Sequence, residues 1–175
     1  MTPYITKSDI QEFKGIAENL NSTKDLDPYI IEAQEFDLRP FLGEAFFIAF
    51  DEDFTASPSL ETYDDLFNGV TYTYSGDQYR HEGLKAMLIY HAYARYLANA
   101  NTKSTAYGLV QKNSQHSTPA SEKTIARLVS QARSGAMVYQ NRVKKYLDIN
   151  SSTYTLWECG NGKKFRTGKG VRRIG

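Results

Sequence analysis

Apolar residues recur along this chain at helical spacing, and most of its length reads as helix. Ile10, Phe13, Ile16, Ala17 and Leu20 fall on one side of a first helix opened by Ser8 and Asp9, with Gly15 inside it. A second helix starts at Asp27 with Pro28 at its first position, where the missing N–H does no harm. Ile30, Ala33, Gln34, Asp37, Leu38 and Phe41 share its inner side, a stripe with polar inclusions. Pro40 is expected to kink or end that helix near Leu38 or Arg39. The segment GEAFFIAFDEDF predicts a short buried helix, and SLETYDDLFNG predicts another, capped by Ser59 and closed by Gly69.

The period then changes. Val70, Tyr72 and Tyr74 alternate with threonines before Ser75, Gly76 and Asp77, which predicts a β-hairpin near residues 70–80. An isolated hairpin is marginal in water, so this one must lean on a helix or on a neighbouring subunit. The stretch from Leu84 to Ala98 is interrupted only by Lys85, His91 and Arg95, and is expected at the centre of a bundle. Residues 102–118 read as a long polar loop with one apolar patch, Tyr107 to Val110. Pro119, behind Thr118 as cap, opens a last long helix to about Ile149. Its inner side is traced by Ile125, Leu128, Val129, Ala132, Ala136, Tyr139, Val143, Tyr146 and Leu147. Thr153 to Cys159 reads as a strand, and glycine-rich basic chain follows.

The expected fold class is therefore mainly α: a helical bundle of about four to five helices with a small β-hairpin, a long loop and an extended C-terminal arm. The bundle with its hairpin occupies 1–150 and the basic arm 151–175.

Charge changes this picture. Residues 1–80 hold sixteen acids against five Lys and Arg, and residues 81–175 hold four against sixteen, so the net charge of +1 is a cancellation. Exposed pairs on one globule contribute only about 0–1 kcal/mol each. Copies packed acidic face to basic face would use the division fully, since charge complementarity fixes register and partner choice. The division could equally follow from which helices lie outward. Thirteen tyrosines supply apolar area with a polar tip, which suits surfaces that become buried against partners.

Candidate chemistry is sparse. One cysteine, Cys159, excludes an internal disulfide and a multi-cysteine metal site. The N-terminus has no apolar run of signal-peptide length and no segment is long enough to span a membrane, so a soluble protein is expected. His81, His91 and His116 are too scattered for a ligand set; His91 is read as an interior or interface histidine rather than a base. Asp51 with Asp53, or Asp64 with Asp65, fits a solvated acidic face better than a cation site. Neither a cofactor nor an enzymatic activity is expected.

The basic arm has the clearest signature. Lys163, Lys164, Arg166, Lys169, Arg172 and Arg173 on a glycine-spaced chain could track phosphates in a salt-sensitive, sequence-indifferent way. With Trp157, Phe165 and Ile174 as anchors, the arm could instead lie across the acidic surface of another subunit. It could also be a solvated tail. Tyr72, Tyr74, Tyr107, Leu109, Arg127 and Arg133 are the candidates for contacts between subunits.

Several segments together resemble the head-tail connector, or adaptor, proteins of tailed bacteriophages, with the nearest likeness to those of phages of Bacteroidetes hosts. They are ITKSDIQEF, DPYIIEAQEFDLRPFLG, YTYSGDQYRHEGLKAMLIYHAYARYL, YGLVQKNSQHST and YTLW, in order over roughly residues 5–157. The resemblance implies a small helical-bundle subunit of a ring, typically of twelve copies, beneath the portal protein. Such a ring extends the DNA channel and receives the next neck or tail protein. It implies a virion neck location, the host cytoplasm during assembly, possible contact with packaged DNA in the lumen, and no membrane partner. It carries no catalytic residue with it. The leading alternative is a nucleic-acid-binding protein that uses the basic arm.

Overall fold

In chain order the elements are α1 (Lys7–Phe13), α2 (Asp27–Ala33), α3 (Arg39–Leu42), α4 (Glu44–Thr55) and α5 (Glu61–Asn68). A hairpin of β1 (Val70–Tyr74) and β2 (Asp77–His81) follows, then α6 (Gly83–Ala98), a second hairpin of β3 (Thr102–Thr105) and β4 (Gly108–Gln111), and α7 (Glu122–Ile149). This computed structural model describes residues 2–18, 20–56, 60–99, 101–105, 108–111 and 119–157. The chain is mainly helical, as its periodicity predicts.

Helix α6 is the axis of the bundle. Leu84, Met87, Leu88, Ile89 and Ala92 are fully buried, with α1, α2, α5 and α7 packed around them. Its three polar interruptions are each answered by an acid from the N-terminal half. Lys85 pairs with Asp9 at 2.5 Å, His91 stands 3.5 Å from Asp37, and Arg95 binds Asp37 at 2.8 Å. Part of the charge division is therefore spent within the chain itself.

The first helix begins two residues earlier than Ser8 suggests. Thr6 caps it, accepting from the Asp9 N–H while Asp9 accepts from the Thr6 N–H, a reciprocal capping box. It also ends early, at Phe13. Lys14 turns extended, and its ammonium lies 3.8 Å from the centre of the Tyr90 ring, so Ile16 and Leu20 reach the core from irregular chain. Gly15 has open space around its Cα and marks no close helix contact.

Pro40 neither ends nor breaks the second helical run. A wide turn over Gln34–Leu38, in which Arg39 N–H reaches back to the Gln34 carbonyl, shifts the hydrogen-bond register just before the proline. Helix α3 then continues through Pro40 to Leu42, and Gly43 reverses the chain at φ +82. A similar wide turn, Ser22–Leu26, precedes Asp27, which is already helical rather than a cap. The inner stripe holds: Ile30, Ala33, Gln34, Leu38 and Phe41 are buried. Gln34 accepts from Tyr4 N–H at 2.8 Å and donates to the Thr2 carbonyl at 3.1 Å, tying down the N-terminal segment.

The α4 phenylalanines Phe46, Phe47 and Phe50 form an aromatic core with Tyr4, Phe54, Tyr63 and Phe67. Ser59 lies outside the described residues; α5 is preceded by Leu60 and closed by Gly69. The first hairpin pairs Val70 with His81 and Tyr74 with Asp77 around a tight Ser75–Gly76 turn. It leans on α7 through Tyr72 and Tyr146, whose rings are 5.0 Å apart.

The expected loop from 102 contains the second hairpin, with Thr102 opposite Gln111 and Thr105 opposite Gly108. The rest of that loop, 106–107 and 112–118, lies outside the described residues. Helix α7 starts at Glu122, with Ser121 as cap accepting from the Thr124 N–H, and not at Pro119. After α7 the expected strand is instead a series of turns through 151–156. Tyr154 and Trp157 are held by tertiary bonds, Tyr154 hydroxyl to the Thr62 carbonyl at 2.6 Å and Trp157 Nε1 to Asp148 at 2.8 Å.

Candidate subunit interface

The sequence-predicted contact residues separate into three groups. Tyr72 is inward, stacked on Tyr79 at 5.7 Å and edge-on to Tyr146, so it holds the hairpin to α7 of the same chain. Tyr74 stands exposed at the hairpin tip, and Arg127 and Arg133 are exposed on α7. Leu109 is on β4, while Tyr107, Lys163, Lys164, Phe165, Arg166, Lys169, Arg172 and Arg173 lie outside the described residues. Trp157, expected as an anchor of the arm, is 5% exposed in its own subunit's core, with its ring 5.4 Å from Phe41 and 6.4 Å from Phe46.

The N-terminal third of helix α7 is lightly packed. From Glu122 to Gln131 no residue is fully buried, and burial begins at Ala132. Farther along, Met137 is 60% exposed and Val138 half exposed. Of its cations, Arg142 binds Glu82 at 2.7 Å and Lys145 lies 3.7 Å from the centre of the Tyr79 ring. Lys123, Arg133 and Lys144 make no ion pair among the described residues.

Beside α7 runs a furrow floored by Asp37 and His91, which no pattern in the sequence announces. It comprises two adjoining cavities of about 400 and 280 Å³ that share those two residues. Phe36, 65% exposed with the Arg95 guanidinium against its ring, lines the larger cavity, and Met137 lines the smaller. Burial drives the His91 ring toward its neutral form; Asp37 opposes this, while Arg95 and Arg133 reinforce it. His91 Nε2 is buried with no hydrogen-bond partner among the described residues. Asp37 is engaged by Arg95 through Nε at 3.0 Å and Nη2 at 2.8 Å, and Glu32 stands 3.5 Å from the same guanidinium. Arg133 and Lys144, which also line the furrow, make no ion pair among the described residues.

The opposite sign is concentrated elsewhere. Residues 40–79 contain eight acids and no Lys or Arg. Tyr4 hydroxyl donates to Asp51 at 2.5 Å, and Asp53 accepts from the Leu60 N–H at 2.9 Å. Glu52 and Glu61 are exposed with no ion pair among the described residues, and Ile48 and Leu60 are exposed beside them. No group of three His, Cys, Asp or Glu side chains able to hold a metal ion occurs among the described residues. No described helix is long and apolar enough to cross a membrane.

A mainly helical bundle that presents two chemically different surfaces is thus what fold and geometry define. The chain belongs to a family of unknown function, DUF6712, whose model matches residues 38–167. That span takes in α3 to α7 and both hairpins. No curated protein and no solved structure matches the chain.

Proposed function

We propose that this chain is a virion structural protein, a subunit of an oligomeric ring between the portal and the tail of a tailed bacteriophage, where it extends the DNA channel. The observation that carries the reading is the surface of α7: a 28-residue helix whose first ten residues include none fully buried and whose free cations have their counterpart on α4 and α5. A cyclic assembly needs two different faces on each subunit, and rotation about the axis closes it. The resemblance of the ordered segments to head-tail connectors supports the same reading. In it the chain acts by shape and contact, reaching the virion neck from the host cytoplasm, with the portal and the next neck or tail protein as neighbours.

The alternative is nucleic-acid binding through the basic arm, whose cations lie outside the described residues; on α7, Arg142 and Lys145 are already engaged within the subunit. Binding of that kind would fall steeply with salt. Native mass spectrometry of the chain mixed with the portal protein of the same virus tests the main reading. A complex holding many copies of the chain is expected; a chain that stays monomeric and takes up no portal protein contradicts it.

A further inference from the structure

The furrow and the acidic corner answer one another residue class by residue class. The furrow offers two exposed apolar residues, Phe36 and Met137, and two cations, Arg133 and Lys144, with no ion pair among the described residues. The α4–α5 corner offers exposed Ile48 and Leu60 with the exposed carboxylates Glu52 and Glu61. The two surfaces are unlike, since Arg133 and Lys144 line the furrow and residues 40–79 have no Lys or Arg at all.

We propose that the furrow is the seat for the α4–α5 corner of a second copy of this chain, with Leu60 entering between Phe36 and Met137 and Glu61 meeting Arg133 and Lys144. The inference rests on the ring reading for its need of two unlike faces. A head-to-tail contact satisfies both surfaces at once and repeats around an axis. A carboxylate brought to this place finds Arg133 free and His91 neutral, so charge on the incoming corner is compensated by the arginine and Lys144 alone.

Sedimentation of the full chain over a concentration series, with and without charge reversals, tests this. The wild-type chain self-associates, and Arg133→Glu with Lys144→Glu weakens association by about tenfold or more. Mixing that variant with a chain carrying Glu52→Lys and Glu61→Lys restores it, because each supplies the face the other has lost. In a Cys159→Ser background, Leu60→Cys and Met137→Cys chains form a mixed disulfide on oxidation, and neither single variant forms one with itself. Far-ultraviolet circular dichroism and thermal midpoint, unchanged in the reversals, show that each still folds. Association indifferent to the reversals, no association at any concentration, or no mixed disulfide overturns the inference. Reversal variants that still build complete rings on the portal overturn it and leave the ring reading standing. A wild-type chain that associates through the furrow but has no affinity for the portal does the opposite.

Discussion

Asp37 and Arg95, fifty-eight residues apart, are joined by two hydrogen bonds to one carboxylate oxygen, from Nε at 3.0 Å and Nη2 at 2.8 Å. The pair fastens the wide turn between α2 and α3 to the central helix and sits half-buried at the floor of the furrow. Removing the arginine strands a carboxylate beside His91. Arg95→Ala is expected to cost about 2 kcal/mol in urea unfolding, from the charged hydrogen bonds lost and the partner left uncompensated. Asp37→Asn in the same background should recover part of it, and equal losses in the single and double variants would contradict the coupling.

Two glycines with positive φ should respond very differently to alanine. At Gly83, φ +76, a Cβ would fall 2.1 Å from the Phe67 carbonyl oxygen, because the α5–β1 and β2–α6 junctions cross there. At Gly43, φ +82, nothing lies within 4 Å of the same atom. Gly43→Ala is expected to cost roughly 1–2 kcal/mol, the left-handed backbone alone. Gly83→Ala adds the backbone shift and should cost roughly 1 kcal/mol or more beyond that. Thermal unfolding of the two variants compares them directly.

His81 makes stability depend on pH in a stated window. Its ring is 1% exposed, accepts from Gly83 N–H at 3.2 Å through Nδ1 and lies 4.2 Å, centre to centre, from Tyr146. Burial pushes its pKa down to about 4, against the opposing pull of Glu82 and Asp65. Above the unfolded value near 6.5 both states are neutral and stability is complete. As pH falls from there to about 4 the unfolded chain takes up a proton that the folded chain refuses, a loss of roughly 3 kcal/mol. His91, also lowered by burial, adds to the slope in the same direction. Asp9 acts lower: burial raises its pKa, but the Lys85 ammonium and the Thr6 N–H and hydroxyl outweigh it, so its contribution is lost only below the ordinary carboxylate range. His81→Phe should flatten the profile between pH 6.5 and 4, and an unchanged slope would contradict this assignment.

Trp157 closes the described fold, so its removal should be felt in the core. Trp157→Ala deletes the contacts to Phe41 and Phe46 and the bond to Asp148, and should cost about 3–5 kcal/mol.

Elements carried by long periodic runs were legible in the sequence, and elements set by tertiary contact were not. The apolar run of α6 and the inner stripe of α2 could be read because burial there follows spacing alone. Pro40 misled because its local rule is absorbed by a change of hydrogen-bond register upstream, which composition does not reveal. The alternation in TYTLW imitates a strand, yet Tyr154 and Trp157 are fixed by Thr62 and Asp148 from other elements. The second hairpin escaped because TKST and GLVQ are short and scarcely alternate. For the interface, Tyr74, Arg127 and Arg133 were found at the surface, while the furrow was invisible because Phe36, His91 and Met137 meet only in space.

The account turns on assembly into a ring at the portal. Electron cryomicroscopy of this chain bound to the portal protein of the same virus measures it most directly. A closed ring of subunits on the portal axis, with the α4–α5 corner of each copy against α7 of the next, is the predicted result. Portal particles with no added ring density, at protein concentrations where the chain is in excess, would contradict it.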